Sequence, residues 1–174
     1  MLIQTTSVVP FPRSLVYVTF RDRLVELVPY LPQVRSITVK SRREEGAQVH
    51  STNEWQGTGE IPPLLRPWLS DDLLKWTEYN IWNNTEFTLQ WRIETHAFSK
   101  AFHYAGENLF LEEDGQTIIE SQGQLWVEPQ QLQGIPSPLR NKVAQMAEKF
   151  LGKRMEPNQL QIAEGVCHYL GQAV

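Results

Sequence analysis

A chain of 174 residues and 20.2 kDa has the length of one domain, and at that size folding buries roughly 70% of the surface that the unfolded chain exposes. A net charge of -4 and a pI near 5.6 argue against the basic stripe that tracks nucleic-acid phosphates, and no run reaches the roughly 20 apolar residues of a membrane span. The single Cys167 excludes an internal disulfide, and the opening MLIQTTSVVPFPRS lacks the basic start and apolar core of a secretory signal, so a soluble, cytoplasmic protein is expected.

The first strand is expected over Leu2–Val9, short, rich in β-branched residues and closed by Pro10. Residues 14–20 and 22–31 carry apolar side chains at near-helical spacing between prolines and read as two short helices. Residues 34–43 and 47–56 read as a hairpin. A three-residue loop, Glu44-Glu45-Gly46 with Gly46 left-handed, places Ile37, Val39, Val49 and Trp55 on one face, whereas a two-residue loop would split that set. Residues 57–70 hold three prolines and two glycines. Their Leu64, Leu65, Trp68 and Leu69 read as an apolar lid, a docking patch or a connector packed on the core.

Residues 73–95 form the central hairpin, two alternating runs with Asn83-Asn84 between them as a two-residue turn. That turn predicts the pairs Trp82–Thr85, Asn80–Phe87, Glu78–Leu89, Trp76–Trp91 and Leu74–Ile93 on an aromatic face, with Lys75 and Arg92 on the outer one. Residues 101–112 and 116–128 alternate about Asp114-Gly115, which predicts Phe110 opposite Ile119, Asn108 opposite Ser121, Gly106 opposite Gly123, Tyr104 opposite Leu125 and Phe102 opposite Val127. A tight turn at Ser99-Lys100 would set Trp91 beside Asn108 and Ile93 beside Gly106. The paired glycines are expected to leave room in the middle of the inner face, so that a Gly123→Leu variant would fold and fill a cavity. Ser137-Pro138 starts a helix whose stripe Leu139, Val143, Met146, Phe150 faces the sheet. Gly152 and Pro157 kink or break that helix before Leu160, Ala163, Val166, Cys167 and Leu170 resume the pattern.

Strand, two short helices, six antiparallel strands and a long terminal helix is the order of the helix-grip fold, an α+β architecture with a curved antiparallel sheet of about seven strands around the C-terminal helix. On VPFPRSLVYVTF, LKWTEYNIWN, FTLQWRIE and AGENLF, together with the terminal helix, the chain resembles the START-like, or SRPBCC, superfamily of lipid carriers and polyketide cyclases over nearly its whole length. The resemblance implies a single domain over residues 1–174 and a deep cavity between sheet and helix. The chain lacks the His and carboxylate constellation of the superfamily's iron-binding oxygenases.

His50, His96, His103 and His168 show no metal-ligand spacing, and His103 points outward with Trp126. Asp71-Asp72 and Glu112-Glu113 sit beside turns and read as solvated, Cys167 reads as a small hydrophobe, and no nucleophilic triad is visible. No metal or cofactor is expected. The sharpest residue is Glu78, a carboxylate on the aromatic face that must be paired, protonated or beside a water-filled cavity. The expected ligand lining is Asn53, Trp55, Trp76, Glu78, Asn80, Phe87, Leu89, Trp91, Ile93, Tyr104, Asn108, Phe110, Ile119, Ser121, Met146 and Phe150. The first functional expectation is binding or transport of a hydrophobic small molecule: a lipid, quinone or polyketide-like compound. The alternatives are a cyclase or dehydratase using Glu78 with Tyr104 or Asn108 as acid and base, and a protein-interaction module docking through residues 64–69.

Overall fold

The computed structural model describes residues 1–172. Its seven strands are β1 (Leu2–Val9), β2 (Val34–Glu45), β3 (Gln48–Gly57), β4 (Lys75–Asn83), β5 (Thr88–Thr95), β6 (Phe102–Glu113) and β7 (Gln116–Val127). Its helices are α1 (Arg13–Asp22) and the long α2 (Ser137–Gln172), and a short 3-10 segment covers Leu24–Tyr30. The strands form one curved antiparallel sheet in the order β1-β7-β6-β5-β4-β3-β2. α2 lies on the concave face, in contact with β1, β7 and the 3-10 segment. This is the helix-grip arrangement.

One end of the concave face is closed by α1, which begins straight after Pro12 and ends where the Arg23 N–H bonds the Thr19 carbonyl at 2.9 Å. Its Tyr17 and Phe20 turn inward against Trp82, at centroid distances of 5.3 and 5.4 Å, and against Phe110, at 5.2 and 5.8 Å. Most of these pairs meet edge to face, the geometry that ring quadrupoles favour. This cluster fills the α1 end of the interior.

Registers follow the turns. The Asp114-Gly115 turn has φ of 52° and 75°, and every pair expected between β6 and β7 is present, from Phe102–Val127 to Phe110–Ile119. The β4–β5 hairpin differs: Asn83 pairs with Thr88, and the residues opposite Trp76, Glu78, Asn80 and Trp82 are Thr95, Ile93, Trp91 and Leu89. Its loop is Asn84–Phe87 rather than Asn83-Asn84. The Asn83 Oδ1 accepts from the backbone N–H groups of Thr85 and Glu86, at 3.0 and 3.1 Å, and Phe87 takes the left-handed φ of 55°. Asn84 instead ties the loop to α1, its Oδ1 accepting from the Tyr17 hydroxyl at 3.2 Å and from Arg21 at 2.7 Å. Trp76 therefore does not face Trp91. The shift is four residues, an even number, so the aromatic face survives, and the outward Lys75 and Arg92 meet Asp72 and the Tyr79 ring.

Between β5 and β6 the turn is longer than Ser99-Lys100, with Phe98 at φ 52°, and Trp91 lies beside Gly106 and Ile93 beside Tyr104, two residues from the expected register. Between β2 and β3 the loop has two residues, since Glu45 pairs with Gln48. An irregularity between Val39 and Ser41 then shifts the ladder by one and restores Ile37 opposite Trp55, as a bulge does. Ile37, Val49 and Trp55 are buried, but Val39, on the edge strand, is 48% exposed.

Residues 57–70 pack on the core. Ile61, Leu65 and Leu69 are buried and Trp68 is half-buried, so of the four residues expected to form a patch only Leu64 stands well out, at 64% exposure. α2 runs unbroken through Gly152 and Pro157. Its buried stripe is Val143, Ala144, Ala147, Leu151, Ile162, Ala163, Val166 and Leu170, while Met146 and Phe150 are half-buried on its flank and Leu139 is 36% exposed. The small Ala144, Ala147 and Gly152 let the helix sit closer to the sheet than the larger flanking residues would allow.

Candidate functional site

Between the middle of the sheet and the 151–162 stretch of α2 lie two adjoining cavities of about 40 and about 20 Å³. The larger is lined by Phe20, Trp55, Trp76, Glu78, Leu89, Trp91, Ile93, Tyr104 and Asn108, and from the helix by Met155, Asn158, Gln159 and Ile162. The smaller adds Leu73, Thr95, Phe102, Leu125 and Leu151, and the two share Trp76, Ile93, Tyr104 and Met155. The interior is far more filled than the deep cavity expected. A drug-sized ligand needs roughly 300 Å³ or more.

Glu78 is placed by β4, is half-buried, and lines the larger cavity. Its Oε2 accepts three hydrogen bonds, from Asn53 Nδ2 at 3.3 Å, Trp55 Nε1 at 3.0 Å and Asn80 Nδ2 at 3.0 Å. All three donors converge on one oxygen, leaving Oε1 free of protein donors among the described residues. Asn53 lies directly opposite Glu78 on β3, and Asn80 follows it by two on the same face of β4. Burial pushes the Glu78 carboxyl above its ordinary range, and the three donors, which favour the charged form, only partly offset that. No lysine, arginine or histidine pairs with it among the described residues.

Tyr104 stands in the same cross-strand row, since Glu78 pairs with Ile93 and Ile93 with Tyr104. Two strand spacings put its Cα about 10 Å from that of Glu78. Its hydroxyl oxygen accepts from Gln159 Nε2 at 2.9 Å, and Gln159 Oε1 accepts from Thr5 at 3.3 Å. Burial raises the phenol well above its ordinary pKa, so it stays neutral, and its own proton is uncommitted to any acceptor among the described residues. Asn108 is different, because its Oδ1 already accepts from Trp91 Nε1 at 3.0 Å and from Ser121 at 2.6 Å. Asn158 presents a buried Oδ1 with no hydrogen-bond partner among the described residues.

The Gly106–Gly123 pair is not vacant. The Trp91 indole lies across it: a Cβ on Gly123 would stand 2.5 Å from Trp91 Cη2 and 2.9 Å from Tyr104 Cε2, and one on Gly106 would stand 2.7 Å from Trp91 Cζ2. The room expected there holds a side chain, so a leucine at 123 has no cavity to fill.

Of the residues expected to line a ligand, Trp55, Trp76, Glu78, Leu89, Trp91, Ile93, Tyr104 and Asn108 surround the larger cavity. Asn53 and Asn80 reach it through Glu78, and Ser121 through Asn108. Phe87 and Phe110 belong to the α1 cluster, Phe87 beneath the Arg13 guanidinium at 4.1 Å, and Ile119 is core beside Phe110. Met146 and Phe150 lie off the cavity. The helix side is formed instead by Leu151, Met155, Asn158, Gln159 and Ile162, whose spacings of four, three, one and three mark one helical face. That face was readable in principle, but Gly152 and Pro157 hid it. No group of three His, Cys, Asp or Glu among the described residues is placed to hold a metal, and no helix among them is long and apolar enough to cross a membrane.

No family model and no curated protein matches the chain. Among solved structures it is similar to TTHA0849 from Thermus thermophilus, with 20% identity and a TM-score of 0.66 over 97% of this chain and 99% of that one. It is also similar to the Zhui aromatase/cyclase from Streptomyces sp. R1128, with 14% identity and a TM-score of 0.68 over 97% and 92%. Norcoclaurine synthase from Thalictrum flavum shares 11% identity and a TM-score of 0.52 over 87% and 86%. At these identities the likeness is one of fold, the helix-grip arrangement described above.

Proposed function

We propose that the chain binds a hydrophobic small molecule with a polar head, held between the concave sheet and the 151–162 stretch of α2. The observation that carries this reading is Glu78: a carboxylate beneath an aromatic wall, gripped on Oε2 by three donors, with Oε1 left for whatever enters the cavity. A structural carboxylate would have no need of that asymmetry, and an apolar residue in its place would avoid a desolvation penalty of several kcal/mol. A molecule of lipid, quinone or polyketide size requires the two cavities to merge and widen. Met155, unbranched and common to both linings, is the side chain whose rotation joins them. Of the three structural neighbours, two carry names that describe enzymes acting on organic molecules, an aromatase/cyclase and a synthase. Those names agree with an organic small molecule as the ligand class.

The second reading is a cyclase or dehydratase. It draws support from the uncommitted Tyr104 proton and the free Glu78 oxygen on one cavity, an acid and a base carried by residues whose Cα atoms stand some 10 Å apart across two strands. Native mass spectrometry of the purified protein, followed by extraction and identification of any bound compound, tests the first reading. The expected result is a bound organic molecule, or uptake of an added apolar probe, that falls away in Trp76→Ala. A protein that carries nothing and takes up no probe overturns it. Conversion of the identified compound, with Glu78→Gln retaining binding and losing turnover, would move the assignment to the second reading.

A further inference from the structure

We infer that the polar head this cavity receives is a cation, a protonated or alkylated amine seated between the Glu78 carboxylate and the surrounding indole faces. The inference rests on the reading of this cavity as a ligand site and deepens it. Three observations carry it. The first is a carboxyl without a counter-charge: Glu78 is half-buried on the cavity, and the larger cavity's lining holds no lysine, arginine or histidine to balance it when it ionises. The second is a pair of open acceptors. Glu78 Oε1 and the buried Asn158 Oδ1 have no protein donor among the described residues, and a guest that donates can satisfy both.

The third observation is the wall. Trp55 and Trp76 stack at 5.7 Å and 16°, Trp91 and Tyr104 meet edge to face at 4.7 Å, and all four line the larger cavity beside Glu78. Ring faces attract a cation through their quadrupoles, most strongly for indole and most strongly where water is excluded. Burial alone holds the Glu78 carboxyl toward its neutral form, and an entering ammonium supplies the opposite charge that ionises it. A carboxylate-bearing guest would meet Glu78 without any cation to bridge the two, and is excluded on the same ground.

Calorimetric titration of the whole protein at pH 8 with benzylamine, benzyl alcohol and benzoate, one ring with three heads, tests the inference. Benzylamine is expected to bind at least 10-fold more tightly than benzyl alcohol, and benzoate more weakly than either. In Glu78→Gln the benzylamine affinity is expected to drop to that of benzyl alcohol while the alcohol is held as before. Equal binding of amine and alcohol by the wild-type protein overturns the cation and leaves the apolar site standing. Preference for the amine that persists in Glu78→Gln also overturns it. Binding of none of the three, in a protein that also carries no extractable compound, overturns the inference and the ligand site together. The wild-type comparison decides the matter even if the variant fails to fold.

Discussion

Glu78 titrates where water is scarce, and the sign of its contribution follows from that. Its carboxyl is raised in the folded chain, so the folded state holds the proton more tightly than the unfolded one. Stability from this residue is then fully present below the unfolded carboxyl value and is lost as pH rises through the folded one. Glu78→Gln keeps an oxygen for Asn53, Trp55 and Asn80 and removes the charge. The variant is expected to melt at least as high as the parent at pH 8, with the difference closing toward pH 4. Thermal melts of both proteins across that range check it, and a variant that loses ground as pH rises contradicts it. Gly123 makes a second prediction at this scale. A methyl group added there meets Trp91 Cη2 at 2.5 Å, within a ring held by its bond to Asn108. Gly123→Ala should cost roughly 1 to 3 kcal/mol by overpacking, read as a lower denaturant midpoint, whereas Gly115→Ala meets no side chain and strains only its positive φ.

At the scale of the element, the β4–β5 hairpin shows what a turn can conceal. Two adjacent asparagines resemble a two-residue loop, yet Asn83 works through its side chain, capping the Thr85 and Glu86 N–H groups, and the left-handed position falls to Phe87. Phenylalanine is an unusual occupant of that conformation. Its ring is retained against Tyr17 and beneath Arg13, contacts visible only once α1 is in place. Asn83→Ala removes the acceptor for both N–H groups and should lower stability by about 1 kcal/mol, measured by equilibrium unfolding, with the pairing of Glu78 and Ile93 unchanged in amide exchange or NMR contacts. A change in that pairing would mean that the side chain sets the register rather than only the loop. By contrast, Asp114-Gly115 takes positive φ at both central residues, and the whole β6–β7 register was deducible from it.

For the molecule as a whole, faces were easier to deduce than neighbours. Side chains alternate along a strand, so a register that slips by an even number exchanges partners and leaves the inside inside. The β4–β5 slip of four and the β5–β6 slip of two are both of this kind, and Glu78, Trp91 and Tyr104 accordingly stayed on the concave side. The odd discrepancy of the two-residue β2–β3 loop is cancelled at Ile37 and Trp55 by the irregularity at Val39–Ser41, before a second shift between Val34 and Ser36. What could not be deduced was depth. The volume left between sheet and helix depends on how closely α2 approaches, and that depends on Ala144, Ala147 and Gly152 meeting particular partners across the interface. Alternation carries no information about such distances. The helix side of the site was missed for a related reason: proline and glycine within α2 read as a break, although the packed sheet holds the helix continuous past both.

At Gly106 and Gly123 the sheet is only a backbone thick, and the Trp91 indole lies behind it on the concave side. A shallow depression on the convex face, formed by residues such as Gln90, Ala105 and Gln122, also takes in Trp91, which lines the interior as well. One chromophore thus borders both compartments. Trp91, Trp55 and Trp76 together make half of the chain's six indoles and all border the larger cavity, so the filling of the interior can be followed as a shift in tryptophan emission without a label.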